Sequence, residues 1–99
     1  MSTTQNDLRQ IARMKTQLSS YKQGLLSLGD LTGDLVFLRD ALDDCSKEWD
    51  IEFTAKLTDL ESVESYLIEK SANELDDLMQ PIVEKAIAKI HDLIDILKS

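Results

Sequence analysis

An all-α four-helix bundle, with its helices antiparallel, is the architecture this sequence predicts. Three observations carry that prediction. Apolar residues recur at spacings of three and four through four stretches, the breaks between those stretches are short, and 99 residues include three Gly and one Pro. The length suits a single domain spanning 1–99, and 42% hydrophobic residues can fill one core without disulfides or metal.

The first helix is expected over about 5–23, with Leu8, Ile11, Met14 (or Lys15), Leu18, Tyr21 and Leu25 on one face. Gly24 can end it in a left-handed conformation. Ser27 can then accept the amide of Asp30 and open a second helix over about 28–43. Leu28, Leu31, Leu35, Leu38 and Leu42 form its stripe, widened by Val36 or Phe37. Gly29 and Gly33 read either as a point of close helix approach or exposed backbone or, the preferred reading, as a loose first turn with no task. A third helix follows over about 45–70, capped by Asp44 or Ser46, with Cys45 at its end. Its buried stripe is Trp49, Phe53, Leu57, Leu60, Val63 and Leu67, which makes Trp49 a core residue. Ser71 or Asn73 can cap a fourth helix over about 74–97, rich in apolar positions from Leu75 to Leu97. Pro81 predicts either a kink there or a helix that starts at Pro81 after a short turn.

Charge is segregated along the chain. Residues 1–29 hold four cations and one acid, a net +3, whereas residues 30–77 hold fifteen acids against Arg39, Lys47, Lys56 and Lys70, a net −11. The remainder is neutral, and the whole chain carries −8. An acidic middle repels nucleic acid phosphates and anionic membranes and attracts basic partners. No stretch reaches the apolar length of a membrane span, and the first fifteen residues lack the apolar run of a secretory signal. With Cys45 the single cysteine, a reducing, cytoplasmic setting is expected.

Catalytic constellations are absent. His91 stands alone without a second ligand at helical spacing, and carboxylates around Cys45 discourage a thiolate. Neither a phosphate-binding loop nor a calcium loop is present, so no enzyme activity, cofactor or metal is expected. Binding remains. Asp40, Asp43 and Asp44 crowd the turn between the second and third helices, and Glu48, Glu52 and Asp59 share a stripe beside the buried face of the third. These six are the candidate partner-binding residues, because carboxylates on a helix face can engage Arg and Lys of a partner.

The segment from Tyr21 to Lys70 also carries a pattern of the form SLGxLxxDLxxLxxAL, then a Trp, a Phe and an LE-x-V element. Here these are Ser27-Leu28-Gly29-Asp30-Leu31, Asp34-Leu35, Leu38, Ala41-Leu42, Trp49, Phe53 and Leu60-Glu61-Ser62-Val63. In this the chain resembles the small immunity proteins of bacterial contact-dependent growth inhibition and polymorphic toxin systems. Leu57 stands where a second tryptophan is usual in them. The resemblance implies a cytosolic helical protein that binds and neutralises one cognate toxin, with a basic nuclease domain the expected target. The alternative is a structural or regulatory bundle: a homodimer, adaptor or secretion chaperone with no toxin partner.

Overall fold

The computed structural model describes residues 4–43, 45–70 and 77–98. Among them are four helices and no strand: α1 (Gln5–Lys22), α2 (Leu28–Asp40), α3 (Lys47–Glu69) and α4 (Met79–Lys98). Each helix packs on its neighbours in a closed ring, α1 on α2, α2 on α3, α3 on α4 and α4 on α1. Contacts between α1 and α2 run in reverse order, Asn6 meeting Ala41 and Gln17 meeting Asp34. The four-helix bundle expected from the periodicity is the fold observed.

The caps explain the boundaries. Thr4, Ser27 and Ser46 each hold an extended backbone and accept an amide three residues on, from Asp7, Asp30 and Trp49. Each such cap contributes about 1 kcal/mol. Ser46 therefore settles the start of α3, and Cys45 lies before the helix, half-buried against the core. At the end of α1, Gly24 takes φ +78°, with its N–H on the Tyr21 carbonyl and that of Leu25 on the Ser20 carbonyl. This paired arrangement satisfies two of the terminal carbonyls. Residues 77 and 78 form a turn, so α4 starts later than the expected 74, and Pro81 sits in its first turn, where no N–H is needed. The expected caps Ser71 and Asn73, with Leu75, fall outside the described residues.

The core draws on every helix: Ile11, Met14 and Leu18; Leu28, Leu31, Leu35 and Leu38; Trp49, Phe53, Leu57, Leu60 and Val63; and six α4 residues from Val83 to Ile94. Burying each large aliphatic or aromatic side chain contributes about 1.5–3 kcal/mol. Trp49 is a core residue, stacked on Phe53 with ring centroids 4.6 Å apart. Its indole N–H donates to the Leu93 carbonyl at 2.6 Å, so the one polar atom of the ring is satisfied while tying α3 to α4. Tyr21 packs half-buried at the core edge, and burial pushes its phenol above the ordinary value.

Several expected core positions fall elsewhere. Leu8 and Leu25 are exposed, because the buried face of α1 runs through residues 7, 11, 14 and 18, and Leu25 lies beyond the Gly24 reversal. Met14, not Lys15, takes the inner position, and Lys15 instead pairs with Asp95 of α4 at 2.7 Å. Val36 widens the α2 stripe, whereas Phe37 points outward. Leu78, in the turn before α4, and Ile82 on that helix are likewise exposed.

Asp7 is the buried residue the apolar pattern concealed. Its carboxylate, fully removed from solvent, accepts the backbone N–H of Asp43 at 2.6 Å. Beside it the Asn6 amide donates to the Ala41 carbonyl at 2.9 Å, and the Thr4 hydroxyl donates to the Asp43 carboxylate at 3.4 Å. These contacts capture backbone groups that a longer α2 would use for itself, and α2 accordingly ends at Asp40 instead of the expected 43. Asp7→Ala should lower unfolding stability by about 2 kcal/mol in urea titrations, since it leaves the Asp43 amide without this acceptor. Unchanged stability would show that the latch contributes nothing net.

Candidate protein-binding surface

The turn from Ala41 to Ser46 and the first turns of α3 form the acidic end of the bundle. Arg39, in the last turn of α2, organises the seam between the two helices. Its guanidinium pairs with Asp40 at 2.9 Å, donates to the Thr54 hydroxyl at 2.9 Å and reaches Asp50 at 3.9 Å. The cation offsets acids that would otherwise face the negative end of α2 unaided. Part of the charge expected to be offered to a partner is thus already neutralised within the chain.

Of the six candidate residues, Asp40 is exposed but ion-paired, and Asp43 is exposed but held to α1 through Thr4 and Asp7. Asp44 lies outside the described residues. Asp59 is half-buried and pairs with Lys56 at 3.6 Å. Glu48 and Glu52 are exposed, and among the described residues neither makes an ion pair. The six do not form one patch. Residues two apart on a helix point about 200° apart, so with Asp50 turned toward α2, Glu48 and Glu52 stand on the other side of α3.

Two apolar side chains complete the surface. Ile51, 59% exposed, lies in the same turns of α3 as Glu48 and Glu52, and Phe37, 72% exposed, projects from the back of α2. Scattered exposed aliphatics are ordinary, but an open aromatic on an acidic face has the composition of an interface anchor. Ile51 was legible in the sequence, because it falls off the Trp49–Phe53 stripe; Phe37 was obscured by its adjacency to Leu38.

The two helical glycines differ. A Cβ on Gly29 would come within 2.8 Å of the Glu64 carboxylate, the flexible end of a side chain reaching across from α3. Gly33 has open space around its missing Cβ and lies one turn before Phe37. Among the described residues no group of His, Cys, Asp and Glu could hold a metal ion, and no helix is long and apolar enough to cross a membrane. No family model matches the chain, and neither a curated protein nor a solved structure shows significant similarity to it.

Gly33→Ala should raise unfolding stability by about 1 kcal/mol, the helix-propensity difference at an unobstructed position. A destabilised variant in thermal melts would mean that packing, and not solvent, surrounds this residue.

Proposed function

We propose that this protein is an immunity protein that binds and neutralises a basic toxin domain, a nuclease being the target class its charge suits best. The observation that carries the reading is the outer face of α3, where Glu48 and Glu52 share one side, exposed and, among the described residues, without ionic partners, with Ile51 open in the same turns. A nuclease cleft presents Arg and Lys to hold phosphates, and paired carboxylates on a rigid helix can occupy those positions. The net −11 of residues 30–77 would steer such a partner and speed encounter. Phe37 and Ile51 supply the apolar contact that charge alone lacks, while Asp40 and Asp43 sit at the rim. The helices beneath are fixed by the core and by the Asp7 latch, so little ordering cost accompanies docking.

Capture experiments with variants test this reading. Tagged protein exposed to lysate of its source strain should retain a single basic protein that elutes only at high salt. E48K/E52K should release that partner at least about 30-fold faster, equivalent to roughly 2 kcal/mol, and F37A should weaken retention as well. E84K, which reverses one charge on α4 where E48K/E52K reverses two, should leave retention intact. Equal losses from E84K and E48K/E52K would reduce the effect to net charge, and recovery of the protein alone would favour a structural bundle.

A further inference from the structure

Two acceptors compete for one amide at the end of α2. Beyond Asp40, Ala41 donates to the Phe37 carbonyl at 3.1 Å, four residues back, and Leu42 to the Arg39 carbonyl at 3.1 Å, only three back. This is the tightened turn with which many α-helices end. The next amide, that of Asp43, would in a continued α-helix donate to the Arg39 carbonyl. It donates instead to the buried Asp7 carboxylate at 2.6 Å, while Asn6 holds the Ala41 carbonyl and the Thr4 hydroxyl reaches the Asp43 carboxylate. These three grips come from the cap and first turn of α1. Between Leu38 and Trp49 no described residue is fully buried, and Leu42 and Cys45 are only partly so. Few apolar contacts therefore hold this stretch to the bundle, which is the condition for local opening.

We infer that the end of α2 is a two-state switch worked by the first turn of α1. In the latched state Asp7 holds the Asp43 amide and α2 ends at Asp40. In the released state that amide returns to the Arg39 carbonyl and α2 runs on through Asp43. Each state satisfies the donor, so neither leaves it orphaned. The released helix converts the tightened turn to regular bonds and sets Leu42 on the stripe of Leu28, Leu31, Leu35 and Leu38. The latched state supplies a donor to a carboxylate inside the protein and keeps Asp43 off the negative end of the α2 dipole. Release leaves residues 44–46 to reach α3 at Lys47, and connections of about two to five residues join antiparallel helices. The bundle closes in both states; the path of the chain into α3 and the direction of Asp43 differ. The inference rests on the fold alone and holds whichever partner the acidic end meets.

Nuclear magnetic resonance of the full chain reads both states. In the wild type, carbon secondary shifts should be helical through Asp40 and fall away over residues 41–43. In D7A they should become helical through Asp43, because Arg39 then offers the acceptor that Asp7 has lost. Hydrogen exchange tests the unaltered protein and needs no variant to fold. The Asp43 amide should exchange through an opening insensitive to mild urea, whereas the Phe53 and Ile90 amides should exchange through global unfolding and accelerate steeply with urea. Residues 41–43 that stay non-helical in D7A overturn the inference. So does an Asp43 amide that shares the urea dependence of the core.

Discussion

The geometry of the acidic end depends on one hydrogen bond, from the Asp43 amide to the buried carboxylate of Asp7. Placing a carboxylate in the interior costs several kcal/mol unless donors surround it, so such a residue is kept only where the donors are supplied. Here the donor belongs to the turn. By taking that amide, and with Asn6 taking the Ala41 carbonyl, α1 decides where α2 stops. Had α2 run on to Asp43, each added residue would turn the chain by about 100° and α3 would enter from another direction. The positions of Glu48, Ile51 and Glu52 follow from that stop, because Ser46 starts α3 as soon as the turn allows.

Much of the fold was legible in the sequence because helical burial is periodic. The Trp49-to-Leu67 stripe and the core of α4 follow directly from spacing, and Ser27, Ser46 and Gly24 perform the capping their chemistry predicts. What escaped was tertiary. Asp7 stands at a core position of α1, and periodicity read for apolar residues shifts the face toward Leu8. The end of α2 was misplaced for the same reason, since the groups that end it come from residues more than thirty positions earlier. Gly29 approaches Glu64 of a different helix, which no local pattern encodes.

The candidate surface was legible in composition but not in arrangement. A count of acids around the turn treats Asp40, Asp43, Glu48 and Glu52 alike, yet Arg39 and the α1 latch engage the first two and leave the last two exposed. Carboxylates held by partners within the chain shape a surface; those without partners can be answered by another molecule. Phe37 on the back of α2 and Ile51 on α3 add open apolar side chains to the same end of the molecule, on helices whose inner faces are fixed.

The most direct test of this account is a hydrogen-exchange footprint of the chain with and without its captured basic partner. Slowed exchange confined to the end of α2, the turn and the first turns of α3 is the predicted pattern. Protection centred on α1 or on the outer face of α4, with residues 47–55 unchanged, would contradict it.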